Sequence, residues 1–299
     1  MKASVLLCTL LLAAAPAASQ AQQDSETDRD PLQNLRPALG AVDRGDFKQA
    51  IDTLKPLAAD GTVEAQYALA GILENAPAPW RDLGAALGWY QRAAEAGHAG
   101  AQNNLGALYY DGRGVLRNPI EAAKWYKLAA DQGFPRAQTN LALLYGMGVG
   151  VPQDTSAMAA LLQKAAAAGE ARAQAQLGRM YLDGEGVPQN ATEAVKWFRN
   201  AAAQDNEGAQ FLLAVLLQRG IGGPRDLEAA VAWFRRAANQ GNRLAMLELA
   251  KSYELGLGVP SDTAQAKAWR EQAQKKPDPA AQKKSDASSQ RDYPRPAKP

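Results

Sequence analysis

The sequence predicts an all-α protein built as an array of six helix hairpins, and three observations carry that prediction. The chain aligns with itself at a shift of 36 residues: Ala65-Gln66, Ala101-Gln102, Ala137-Gln138, Ala173-Gln174, Ala209-Gln210 and Ala245-Met246 superpose without an insertion. Of its 299 residues 63 are alanine and only 20 aromatic, so the 46% hydrophobic share is made of small side chains that let helix backbones approach closely. A single cysteine (Cys8) and a single histidine (His98) exclude disulfide frameworks and His- or Cys-rich metal sites, and no cofactor motif replaces them. The net charge of +2 gives no basic field for a nucleic-acid partner.

At the amino terminus, Lys2 precedes the apolar run Val5 to Ala15 and the small-residue stretch Pro16-Ala17-Ala18-Ser19-Gln20-Ala21. This is the grammar of a secretory signal peptide over residues 1–21, cleaved after Ala21 or, alternatively, after Ser19. A membrane span needs about 20 apolar residues, more than this run supplies. Cys8 lies inside the apolar core after Leu7, which does not fit a lipoprotein signal. The mature chain is then free of cysteine and, by expectation, exported: periplasmic first, secreted as the alternative. Residues 22–30 are polar and read as a linker. Residues 31–62 read as a divergent capping hairpin, with Gly45-Asp46-Phe47 at its turn and Gly61 standing 36 before Gly97. Such a cap shields the first apolar face of an array.

Residues 63–278 hold the six copies. In the second, Ala101, Leu105, Leu108 and Tyr109 form one helical stripe. Asp111-Gly112-Arg113-Gly114 ends that helix, since glycine accepts the left-handed conformation. Asn118 then falls where Asp82, Asp154, Asn190, Asp226 and Asp262 stand in the other copies, an Asx residue suited to cap the second helix. Glu121 and Glu193 follow at the spacing of a capping box. The shared leucine (Leu69, Leu105, Leu141, Leu177, Leu213, Leu249) is always followed by Ala or Gly, which leaves room at the packing seam. Trp89, Trp125, Trp197, Trp233 and Trp269 occupy one slot, with Leu161 as the substitute, and are expected to fill that room as the repeat core. Residues 279–299 are rich in Lys, Pro and Ser without periodicity and read as a disordered basic tail. From Lys275 onward seven Lys/Arg face three Asp.

The run Ala173-Gln174-Ala175-Gln176-Leu177-Gly178-Arg179-Met180-Tyr181-Leu182-Asp183-Gly184-Glu185-Gly186-Val187-Pro188-Gln189-Asn190, continuing through Glu193-Ala194-Val195-Lys196-Trp197-Phe198, resembles the Sel-one-like repeat, a relative of the tetratricopeptide repeat. The resemblance implies a right-handed α-solenoid acting as an interaction scaffold, in bacteria often in the cell envelope. It names no partner and leaves the oligomeric state open. Some secreted relatives carry a cysteine pair in every repeat and are discussed as penicillin binders, so the absence of such pairs sets this chain apart from that hydrolase-like subgroup. In tetratricopeptide-like arrays the first helix of each hairpin lines a concave groove. The matching slots here nominate Tyr67, Asn103, Tyr110, Arg136, Thr139, Arg172, Arg179, Phe211, Arg219 and Lys251 as partner-binding residues for a protein or extended peptide. The row starts acidic (Glu64, Glu74, Asp111) and turns basic.

No catalytic set competes with that reading. His98 falls in an inter-repeat turn slot shared with Phe134, Glu170, Asn206 and Asn242, so no Ser-His-Asp constellation forms around it. Asp111 and Asp183 recur through periodicity rather than as a carboxylate pair. Gly146-Met147-Gly148-Val149-Gly150 follows a helix and lacks the lysine of a phosphate loop. A polysaccharide or peptidoglycan ligand, stacked on Tyr67, Tyr110 and Phe211, is the alternative function.

Overall fold

The computed structural model describes residues 34–275; the expected signal peptide, linker and basic tail lie outside the described residues. Among the described residues there are fourteen helices and no strand. They run α1 (Arg36–Asp43), α2 (Phe47–Ala59), α3 (Val63–Asn75), α4 (Leu83–Glu95), α5 (Ala99–Asp111), α6 (Pro119–Asp131) and α7 (Pro135–Met147). There follow α8 (Thr155–Ala167), α9 (Ala171–Asp183), α10 (Ala191–Ala203), α11 (Glu207–Arg219), α12 (Leu227–Asn239), α13 (Arg243–Leu255) and α14 (Thr263–Gln274). From α1 to α7 and from α9 to α14 each helix packs on the next, giving an all-α solenoid of helical hairpins. The hairpins gather into two compact units that divide between Met158 and Ala159, inside α8. Below, the odd-numbered helices from α3 to α13 are called A helices, and the even-numbered helices from α4 to α14 are called B helices.

Local chemistry sets the helix ends. Every Asx side chain of the shared slot caps a B helix: Asp82 accepts from Ala85 N, Asn118 from Glu121 N, Asp154 from Ala157 N, Asn190 from Glu193 N, Asp226 from Ala229 N and Asp262 from Gln265 N. The reciprocal half of the expected capping box does not form. Glu121 and Glu193 instead pair with Lys124 and Lys196 one turn on, because the cap residue's own N–H already donates to the preceding A helix. Asn118 N reaches Tyr109 O at 2.8 Å and Asn190 N reaches Tyr181 O at 2.8 Å. From α5 to α13 the A helices end on left-handed glycines, Gly112, Gly148, Gly184, Gly220 and Gly256, whereas α3 ends at the extended Ala76. The second glycine of the loop has a different reason. A Cβ on Gly222 (φ +74°) would lie 2.2 Å from the carbonyl oxygen of Ala191, so that loop rests directly on the start of the preceding B helix.

The recurring Ala-Gln pair is explained by packing. The alanine is fully buried in nearly every copy, and the glutamine amide donates to a carbonyl at the end of the previous helix. Gln66 reaches Ala58 O (3.0 Å), Gln102 reaches Ala94 O (3.1 Å), Gln138 reaches Ala130 O (3.3 Å) and Gln210 reaches Ala202 O (3.1 Å). Gln132, Gln204 and Gln240 then donate to the amide oxygens of Gln102, Gln174 and Gln210. Ala96 stands where Gln132 stands one copy later, and Gln66 Oε1 has no hydrogen-bond partner among the described residues.

The tryptophan expectation is corrected. Trp89, Trp125, Trp197, Trp233 and Trp269 are all only half-buried; the side chain sealed in the hairpin is the next one, Tyr90, Tyr126, Phe198 and Phe234. The Ala/Gly seam accommodates that ring: a Cβ on Gly106 would lie 2.8 Å from Tyr126 Cδ1, and one on Gly178 would lie 3.1 Å from Phe198 Cδ1. A 13-residue B helix turns about 100° per residue, so only one of two adjacent aromatics points into the seam. The tryptophans lie along its edge, Trp89 packed against two clusters and flanked by Arg92 at 4.6 Å, and Trp233 likewise by Arg236 at 4.6 Å.

Candidate partner-binding surface

On the first unit the A-helix face is a linked polar network. Glu74, at the end of α3, accepts from the Tyr90 hydroxyl at 2.8 Å and from Arg113 Nη1 at 2.8 Å. Asn104 Nδ2 donates to the same tyrosine oxygen at 3.1 Å. Asn103 Nδ2 donates to Asn104 Oδ1 at 3.1 Å, and Asn140 Nδ2 to Asn103 Oδ1 at 2.9 Å, which ties α5 to α7. Tyr67 stacks on His98 with ring centroids 4.3 Å apart. His98 is more than a turn residue: its Nδ1 accepts from Ala101 N at 3.0 Å and caps α5.

Burial governs the protonation of this network. It pushes the Tyr90 hydroxyl well above the usual tyrosine range, with the Glu74 carboxylate adding to the effect. It raises Tyr67 against the opposing Arg136 charge, and raises Asp111 against Arg113. It lowers His98 against the opposing Glu64 charge, which favours the neutral imidazole that its capping role requires. The tyrosines therefore remain hydrogen-bond donors at neutral pH. Donors and acceptors largely satisfy one another, so the network binds A helices together. Among the described residues no three His, Cys, Asp or Glu side chains converge to hold a metal ion, and no helix is long and apolar enough to cross a membrane.

The ten nominated residues divide by unit. Tyr67, Asn103 and Thr139 are 7%, 5% and 1% exposed, which corrects their placement on an open groove. For Tyr67 and Asn103 the reason is visible: α5 brings His98 over Tyr67, and α7 brings Asn140 onto Asn103. Tyr110 is half-buried with the Arg117 guanidinium 5.4 Å from its ring centre, and Arg136 is exposed. On the second unit the row opens. Arg172 and Phe211 are half-buried, while Arg179, Arg219 and Lys251 are exposed on α9, α11 and α13. Phe211 tilts against the buried Phe234 at 5.9 Å. Tyr90, Asn104, Arg113 and Asn140 escaped the sequence reading. The one signal for them is that Asn104 and Asn140 repeat a polar residue in a slot that otherwise varies through Gln176, Leu212 and Glu248.

Comparison with known proteins fits this geometry. The Sel1 repeat model matches residues 63–98, 99–134, 135–170, 171–206, 208–242 and 243–273. The structure resembles that of a protective antigen present in uropathogenic Escherichia coli strains and displaying an SLR fold, with 33% identity and a TM-score of 0.71 over 78% of this chain. The chain spans 50% of that antigen's length. It also resembles a Sel1 repeat protein from Oxalobacter formigenes, with 30% identity and a TM-score of 0.71 over 82% of this chain and 98% of that one. No protein of curated function matches the chain. Six consecutive repeat matches, each beginning on or next to the first residue of an A helix, show that the chain belongs to the Sel1 repeat family, whose members are generally protein-interaction scaffolds.

Proposed function

We propose that the chain is an exported, non-catalytic adaptor of the bacterial cell envelope that holds an extended, acidic segment of a partner protein along the A helices of its second unit. One observation carries this reading: Arg179, Arg219 and Lys251 stand exposed on three successive A helices, beside the half-buried Phe211, on the face where the first unit is closed by its own network. Spaced cations with an aromatic anchor suit a peptide steered by charge and held by one buried ring. The amino-terminal pattern, Lys2 followed by Val5 to Ala15 and a small-residue stretch, supports export. The test is a crosslinking pull-down from intact envelopes with the unsubstituted chain and with Arg179→Glu combined with Arg219→Glu. The expected result is a discrete protein lost on charge reversal and weakened by salt, with the thermal unfolding profile unchanged. Capture that survives the double reversal refutes the charged row, and recovery in the cytoplasmic fraction refutes the envelope assignment.

A further inference from the structure

Among the described residues of the first unit, three large apolar side chains stand exposed: Leu116 at 89%, Ile120 at 59% and Leu128 at 47%. All three belong to the second copy, Leu116 in the loop before α6 and the other two on the outer face of that helix. The repeat does not require them. In the other copies the slot of Leu116 holds Trp80 or a proline, that of Ile120 holds Gly, Ser, Thr, Glu or Ala, and that of Leu128 holds Arg, Lys, Asn or Gln. We propose that this B-helix face of the first unit joins two copies of the chain in a twofold dimer, with α6 of each copy seated on α4 of the other.

The neighbouring helix supplies the matching surface. A Cβ on Gly114 would lie 3.0 Å from the Leu83 carbonyl oxygen, so the loop into α6 rests on the start of α4 and the two helices begin side by side. Where the outer stripe of α6 shows Ile120, Lys124 and Leu128, that of α4 shows Gly84, Gly88 and Arg92, all exposed. Packing demands neither glycine: a Cβ on Gly84 would meet only Asp82 Oδ1 at 3.5 Å, and one on Gly88 would meet nothing within 4 Å. Glycine inside a helix weakens it relative to alanine, and what it gives here is a bare strip of backbone beside a ridge of side chains. A twofold axis running between the two helices and along them lays Ile120 over Gly84 and the Lys124 stem over Gly88. Leu128 then meets the Arg92 stem where it covers Trp89, and the same contacts form in reverse.

Charge and area select a second copy as the occupant. Neither α4 nor α6 carries a net charge: Arg92 is balanced by Glu95, and Lys124 and Lys127 pair with Glu121 and Asp131 on their own helix. Two such faces meet without like-charge repulsion, and neither offers a field to an acidic or basic partner. The three side chains expose on the order of 300 Å² of apolar surface, a size that on a monomer marks a contact. Two 13-residue helices about 20 Å long and about 10 Å apart present roughly 400 Å² in projection, so pairing buries about 800–1,200 Å² in total, the range of a reversible rather than an obligate dimer. The contact uses no residue of the charged A-helix row and stands independently of the function proposed for it.

Sedimentation velocity of the full chain under reducing conditions, from about 1 to 200 µM, tests the dimer. The unsubstituted chain is expected to pass reversibly from monomer to dimer. Ile120→Glu with Leu128→Glu is expected to weaken dimerisation about tenfold or more with the thermal unfolding profile unchanged, since both side chains are exposed. Gly84→Gln with Gly88→Gln separates contact from folding: filling the bare strip should weaken the dimer while raising the melting temperature, because a better helix former replaces glycine. Leu244→Glu with Leu247→Glu, on the exposed apolar face of α13, should leave the dimer intact. A chain that stays monomeric throughout the range overturns the proposal, as does a dimer that survives either the α6 pair or the α4 pair, or one lost on the α13 pair.

Discussion

Replacing Phe198 by alanine tests which aromatic holds a hairpin together. Its ring is fully buried among Ala194, Val195, Ala201, Ala202, Ala209, Leu213 and Leu216, so truncation removes the ring and leaves a cavity at a cost of about 3–5 kcal/mol. Trp197, half-buried beside it, loses about 100 Å² of apolar contact on truncation, or about 2.5 kcal/mol. Gly178 sharpens the test, because an added methyl there would meet the ring at 3.1 Å. Gly178→Ala alone is expected to destabilise by about 1–3 kcal/mol through overpacking. In the Phe198→Ala background the same change should stabilise by about 0.5–1 kcal/mol, as alanine replaces glycine inside a helix with the obstruction gone. The double-mutant cycle therefore predicts strong coupling. Urea unfolding followed by circular dichroism, with hydrogen exchange to localise the loss to α9 and α10, measures it. Two results would refute the reasoning: Trp197→Ala costing more than Phe198→Ala, or additivity in the cycle.

Gly222→Ala is expected to cost about 2–5 kcal/mol, since it combines a left-handed φ with a Cβ placed 2.2 Å from the Ala191 carbonyl oxygen. Gly220→Ala, whose Cβ meets Arg225 Cβ at 3.3 Å, should cost less, and a reversal of that order in chemical denaturation would discount the loop contact. His98 makes the first unit acid-sensitive. Burial holds its folded pKa below the ordinary histidine value of about 6.5, so the unfolded chain binds more protons just below that pH and stability falls as the pH drops through it. His98→Asn keeps a capping acceptor, as Asn206 and Asn242 do, without titrating. The melting temperature of the unsubstituted chain should therefore fall faster than that of His98→Asn below pH 6.5, and parallel profiles would remove the histidine from the account.

Much of the fold is legible in the residues because it rests on local rules repeated six times. An Asx cap, a left-handed glycine and a helical apolar stripe depend on neighbours within a turn or two, and the 36-residue shift multiplies each signal without an insertion. The candidate surface is less legible. Trp197 and Phe198 repeat with the same period, both are large and apolar, and no sequence rule says which points at Gly178. The A-helix slots pose the same difficulty, since Tyr67 and Asn103 share their position with Phe211, and only the helix that follows determines whether a slot is sealed. Sequence alone thus determined the fold class, the repeat boundaries and the helix caps of this protein, because these arise from contacts close along the chain. Tertiary structure decided which aromatic became core and which polar residues turned inward, because burial depends on the rotation of each helix against partners one full repeat away.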